Sequence, residues 1–350
     1  MHFMPKFHPI NDRNDFMSSL SATVPMTLVT ELLSDLDPQA TWVKNAIAAA
    51  EIAPELLQET SGRVTVEQFS KLYRQIAMVL DDETPHFFSR PLRNGTLKFL
   101  CLSMLGAPNL NIALHRLVGY FRLLLDDMGF EVTREGPLTR IALIEHAPPQ
   151  GARVLVHEIM LKLVHGVASW LIERRIALVQ VDFAFAAPAR ASEYVYLFAG
   201  PVHFDKAQTA LYVESSDLAA PIRQDMSALS AFLRRAPADW LYGVFSEKIL
   251  THRVRDHLAS RLGSTPTVAS TARALNLSVR TLSRRLADEG STFQTVKDEL
   301  RRDMAILQLL KTDQPIAAIG AALGFDDPSV FNRAFKTWTG SAPGNYRQLN

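Results

Sequence analysis

The chain holds one cysteine, Cys101, among 350 residues. An intrachain disulfide and a zinc site built on several cysteines are thereby excluded. Cys101 is expected to be inert core in an apolar strand. There is no Gly-x-Ser-x-Gly elbow, no phosphate loop ending in Gly-Lys-Ser/Thr and no dinucleotide fingerprint, so no motif calls for acyl transfer or nucleotide chemistry. No metal or cofactor is expected. His157 and His165 stand eight apart on one predicted helix, but no partner at ligand spacing accompanies them. No apolar run of about 20 residues, long enough to span a bilayer, is expected in the chain. The opening stretch from Met1 to Lys6 has no long apolar run behind a basic segment. A cytoplasmic protein without a membrane partner is therefore expected.

The chain also lacks an excess of either charge, with 37 basic and 36 acidic residues and a net charge of +1. That near-balance hides a division. From Ser246 onward 15 Lys and Arg stand against 10 Asp and Glu, a net of +5; the preceding residues carry 22 basic and 26 acidic, a net of −4. Positive charge gathers in the C-terminal part, as phosphate binding requires. With 47% apolar residues, the chain has enough hydrophobic material for two well-formed cores.

The C-terminal part contains a repeat. Ser278-Val-Arg-Thr-Leu-Ser-Arg-Arg-Leu286 and Asp327-Pro-Ser-Val-Phe-Asn-Arg-Ala-Phe335 share one pattern: a capping residue, then apolar, arginine and apolar positions at fixed offsets. Ser278 and Asp327 suit N-caps, and Pro328 suits the first helical position. Leu282 and Leu286, like Phe331 and Phe335, are four apart and share a face. At about 100° per residue, Arg280 and Arg284 point away from the leucines, and Ser329 and Arg333 occupy the matching outward positions. Ser283, Asn332 and Lys336 flank them. Phe325, Phe331, Phe335 and Trp338 are expected in the core. Asp326 and Asp327 would repel phosphate if they faced DNA, so a capping role is assigned to Asp327.

A short helix and a turn precede each copy, over Val268–Ser278 and Ile316–Asp327. Small Ala272, Gly320 and Ala321 permit close packing, and Asn276 and Gly324 suit left-handed turns. The second turn is one residue longer. This is the helix-turn-helix layout, in which the second helix is offered to the major groove. Between the copies, Thr292–Leu310 is predicted as one amphipathic helix. Its nineteen residues span roughly 28 Å, close to the spacing of about 34 Å between consecutive major grooves on one DNA face. One chain could then contact two adjacent grooves of double-stranded DNA.

The remaining chain alternates helices and strands. Helices are predicted over Val24–Leu36, Trp42–Ile52, Thr65–Leu80, Asn109–Met128, Arg153–Arg174, Arg223–Leu233 and Trp240–Arg261, the fifth mostly apolar and buried. Strands are predicted over Thr96–Met104, Phe130–Thr133, Leu138–Glu145, Val179–Ala186, Val202–Phe204 and Ala210–Glu214. Residues 1–23 read as a loose tail. The fold class is therefore α+β for residues 1–235, followed by an all-α unit with two helix-turn-helix motifs over 236–350, divided near Arg235-Ala-Pro-Ala238.

From about Ser246 to Asn350 the sequence resembles the DNA-binding domain of the AraC/XylS family of bacterial transcription regulators. The resemblance rests on spacings that include Leu275, Glu289-Gly290, Phe293, Arg301, Gly324-Phe325, Gly340, Pro343 and Tyr346-Arg347. Asn276 departs from the family's usual Gly, and Ala321-Ala322 from its common acidic residue. The resemblance implies base-reading positions at Arg280, Ser283 and Arg284 and at Ser329, Asn332 and Arg333, the same faces the helical wheel selects. Arg284 and Arg333 read guanine edges, hold phosphate or join an intradomain ion pair; Lys336 and Arg301 serve phosphate or local pairing. Over about residues 20–220 the chain more weakly resembles the arabinose-binding-type sensor domain of the ornithine-utilisation and VirS-like branch, through Gly95-Thr-Leu97, the Asn111–Phe121 helix and Gly200-Pro-Val-His-Phe204. These resemblances imply an activator answering to a small-molecule effector, with RNA polymerase as a partner and a homodimer as one assembly. No motif places the effector's residues. Two other readings remain open: an enzyme over 1–235 fused to a DNA-targeting module, and a regulator whose N-terminal part only dimerises.

Overall fold

The computed structural model describes residues 23–150, 152–198, 200–241, 250–264 and 266–347. The tail expected before Thr23 lies outside them. Strand β1 (Thr23–Pro25) pairs antiparallel with β2 (Arg63–Thr65), Val24 opposite Val64. Helices α1 (Met26–Leu33) and α2 (Thr41–Ala49) lie between them. Helix α3 (Val66–Leu80) begins on a capping box: the Thr65 hydroxyl accepts from the Gln68 N–H at 3.0 Å, and the Gln68 side-chain oxygen accepts from the Thr65 N–H at 2.9 Å. Its stripe of Phe69, Leu72 and Ile76 is buried.

The stretch expected as a strand, Thr96–Met104, is instead part of helix α4 (Thr96–Leu105). Leu97, Leu100, Cys101 and Met104 recur at helical spacing, and the last three are buried. A remote residue starts the helix. The Glu83 carboxylate accepts from the N–H groups of Gly95 and Leu97, each at 2.7 Å, satisfying donors that no local side chain reaches. Cys101 is therefore core of a helix, not of a strand, and burial pushes its thiol up to about 12.

Helix α5 (Leu110–Leu124), capped by Asn109, ends sooner than expected because Met128 opens strand β3 (Met128–Glu135). β3 pairs with β4 (Leu138–Glu145), Glu135 opposite Leu138 across the Gly136-Pro137 turn. After α6 (Arg153–Leu171) come β5 (Leu178–Asp182), the short helix α7 (Tyr194–Leu197), β6 (Val202–His203) and β7 (Ala210–Glu214). The sheet runs β3-β4-β7-β5-β6, antiparallel except for β5 with β6.

Helix α6 departs from one expectation. Its nineteen residues are long and apolar enough to cross a membrane by length and composition. They are packed inside the domain instead, with Val156, Met160, Leu161, Val164 and Val167 fully buried. Its polar residues have protein partners. Arg190 donates to Glu158 at 2.5 and 2.8 Å, Lys162 donates to the Leu197 carbonyl at 2.7 Å, and His165 Nε2 lies 2.8 Å from the Ile176 carbonyl. His157 contacts Thr209 and Glu145. Among the described residues no group of three or more His, Cys, Asp or Glu is gathered for a metal.

Helix α8 (Met226–Arg235) and the short α9 (Ala238–Leu241) follow. Residues 242–249 of the predicted Trp240–Arg261 helix lie outside the described residues; α10 (Leu250–Ala259) is its later part. The rest is helical: α11 (Val268–Ala274), α12 (Val279–Asp288), α13 (Phe293–Lys311), α14 (Ile316–Ala322), α15 (Pro328–Thr339) and α16 (Pro343–Arg347).

Candidate nucleic-acid interface

Helices α11 and α12 form one helix-turn-helix and α14 and α15 the other. Their turns close identically. In the first, the Leu277 N–H donates to the Ala272 carbonyl at 2.8 Å and the Asn276 N–H to Arg273 at 3.1 Å; in the second, Phe325 donates to Gly320 at 3.0 Å and Gly324 to Ala321 at 2.9 Å. This hydrogen-bond pair is a Schellman closure, which needs a left-handed residue after the helix. Asn276 at φ 56° and Gly324 at φ 79° supply it.

The caps form as the sequence implies. Ser278 accepts from the Thr281 N–H at 3.1 Å. Asp327 accepts from the Ser329 N–H at 2.6 Å, and that bond holds its carboxyl below the usual range. Leu282, Leu286, Phe331 and Phe335 are fully buried, which fixes the rotation of both helices. Gly320 makes room for the larger side chain of the second copy: a Cβ there would sit 3.0–3.1 Å from three atoms of Phe331. In the first copy Ala272 and Leu282 occupy the equivalent positions.

Arg280, Ser283 and Arg284 on α12 are exposed, as are Ser329, Asn332, Arg333 and Lys336 on α15. Among the described residues, none of the four basic side chains forms an ion pair. Arg301 differs. Its guanidinium donates to the Gly324 carbonyl at 3.3 Å and lies over the Phe325 ring at 4.7 Å, so it braces the second turn. Phe325 and Trp338 are half-buried against the same core.

Sequence reasoning missed a buried polar junction behind this surface. Asp303, 1% exposed on α13, receives Arg255 at 2.7 Å, Arg302 at 3.2 Å, Arg63 at 3.8 Å and the Thr23 hydroxyl at 2.5 Å. Arg63 also binds Glu193 at 2.6 Å, and its backbone N–H donates to the Tyr346 hydroxyl at 3.1 Å. The Tyr196 hydroxyl donates to Glu299, and its ring stacks with His252. Burial pushes the Asp303 carboxyl up, but Arg302, Arg255 and Arg63 hold it at about 2. One signal was available: Leu300, Asp303 and Leu307 are spaced as one helix face, so an acid falls on an otherwise buried stripe.

Residues 43–222 match the family model described as the arabinose-binding domain of AraC transcription regulator, N-term, and residues 271–349 match a helix-turn-helix domain. The chain is 29% identical over 301 residues to the ornithine utilization regulator of Pseudomonas aeruginosa, a match covering 86% of this chain and 89% of that protein. The arabinose operon regulatory protein of Escherichia coli is 36% identical over 95 residues, or 27% of this chain and 32% of that one. The crystal structure of the transcriptional regulator CdpR from Pseudomonas aeruginosa aligns with 90% of this chain and 99% of its own, at 24% identity and a TM-score of 0.31.

Proposed function

Because this chain belongs to the AraC/XylS family of DNA-binding transcription regulators, we propose that α12 and α15 enter consecutive major grooves of one operator. Arg280, Ser283 and Arg284 address the first half-site; Ser329, Asn332 and Arg333 address the second, with Lys336 on phosphate. The observation that carries this reading is the paired presentation of exposed basic side chains opposite fully buried Leu282/Leu286 and Phe331/Phe335. Arginine suits the task because its planar fork matches the two acceptors of a guanine edge.

Residues 1–235 act as the sensor and 236–350 as the reader, and the output is activation through RNA polymerase. The family match over 43–222 supports an effector-responsive sensor. A homodimer would double the operator to four half-sites. The enzyme reading has no support from the relatives, which are regulators by name.

The test is binding of Arg284→Ala and Arg333→Ala proteins to a selected operator and to random duplex. Each substitution should cost about 1–3 kcal/mol on the operator and much less on random DNA if that arginine reads a base. Equal losses on both would assign the arginine to phosphate.

A further inference from the structure

A cavity of about 320 Å³ lies between α3, α4 and α6 and the α8–α9 segment that leads out of the N-terminal domain. We propose that it is the effector site and that it takes a carboxylic acid with an apolar body of roughly ten to twenty non-hydrogen atoms. The term effector rests on the regulator reading above; binding itself does not.

Size comes first. The cavity is about twice one of 150 Å³ that holds benzene. Its walls are mostly apolar and include Leu100, Phe121, Ile159, Leu163 and Leu233. A sugar needs a hydrogen-bond partner for each hydroxyl it buries. These walls offer few: the Tyr73 hydroxyl already donates to the Glu83 carbonyl at 2.7 Å.

The polar groups select the head. Trp240 lines the cavity at 5% exposure, and its indole N–H is buried without a partner among the described residues. A buried indole N–H normally has an acceptor. Trp240 is also fixed in place, because its backbone lies on α6 where a Cβ at Gly166 would come within 2.3 Å of its carbonyl oxygen. Among the described residues Arg74, also in the lining, donates to the Arg234 and Ala236 carbonyls, at 3.1 and 3.4 Å, and pairs with no carboxylate. Lys98 adds a second, exposed cation. The acid of the lining, Glu83, spends both oxygens on the start of α4. Donors and cations thus await an acceptor anion, while the acid is engaged. Ala236, Pro237 and Trp240 form one wall, so an occupant touches the sensor core and the segment leading to the reader together.

The full-length protein would be titrated, without DNA, with octanoate, octylamine, octanol, ornithine and arabinose, reading thermal shift and tryptophan fluorescence. Octanoate should raise the melting temperature and change an emission that Trp240→Phe removes. Arg74→Gln should weaken octanoate at least about tenfold, the size of one charge-assisted hydrogen bond. Leu163→Phe, which fills the space, should abolish binding. Binding of octanol, octylamine, ornithine or arabinose as tight as that of octanoate, binding of octanoate indifferent to Arg74→Gln and Leu163→Phe, or no response to any probe would overturn the proposal. DNA binding by the Arg284→Ala and Arg333→Ala proteins reports on the reader alone, so failure of either reading is seen separately.

Discussion

The first helix-turn-helix closes its own core: Leu250, Val254 and Leu258 of α10 pack with Ala272, Leu282, Leu286, Val296 and Leu300. The second has no such independence. Ile319, Leu323, Phe331, Phe335 and Tyr346 join Ala305, Ile306 and Leu309 of α13 in a core continuous with that of the sensor. Gly340, at the end of α15, abuts Ser61 and Glu59 of the sensor. The first unit meets the sensor through polar and ring contacts, Tyr196 with His252 and Arg255. Two copies of one motif are thus supported by different means. A change in the sensor would reach the second unit through packing and the first through the charge network around Asp303.

Removing Asp303 should have the largest effect, because Arg255, Arg302 and Arg63 all converge on its buried carboxylate. Asp303→Ala leaves Arg255 and Arg63 buried beside a missing anion and should cost about 3–5 kcal/mol in urea denaturation of the full chain. Phe331→Ala should cost about 3–5 kcal/mol and Leu282→Ala about 2–5 kcal/mol, but the two should differ in reach. By hydrogen exchange, Phe331→Ala should deprotect sensor amides near β2 as well as α14 and α15, whereas Leu282→Ala should deprotect α11 and α12 alone. Equal reach would erase the distinction between the units.

The acid side of the stability profile sharpens it further. Burial, followed by the nearby Lys162, lowers the His165 pKa to about 3. A lowered histidine pKa means the unfolded chain binds the proton more tightly. Its contribution is therefore complete above about pH 6.5 and declines below that, by about 2 kcal/mol between pH 6.5 and 5. His165→Gln should flatten this slope. Asp303, held at about 2, acts lower: its stabilisation is present above about pH 4 and is lost as pH falls toward 2. Gly320→Ala should cost about 1–3 kcal/mol through the Phe331 clash, and Phe331→Leu in the same chain should recover part of it by reproducing the Ala272–Leu282 pair. Ser278→Ala should cost about 1 kcal/mol.

What could be read in advance was local or periodic. The repeat, its caps at Ser278 and Asp327, the left-handed turns at Asn276 and Gly324, the Thr65 start of α3 and the β3–β4 hairpin all depend on residues within a few positions of each other. What escaped depends on distant partners. Helix α4 looked like a strand because its first N–H groups are satisfied by Glu83, twelve residues before Gly95 in the chain. The place of β7 between β4 and β5 has no local signal. Asp303 hinted at itself as an acid on a buried helix face, but its partners Thr23 and Arg63 lie more than 200 residues away, and the cavity walls gather residues from Tyr73 to Trp240 that no spacing rule brings together.

The central claim is that one chain carries two probes at a fixed separation set by α13. The most direct measurement is affinity for a selected operator before and after about five base pairs, half a helical turn, are inserted between its half-sites. The account predicts a fall to the affinity of one half-site alone. Unchanged affinity would contradict it.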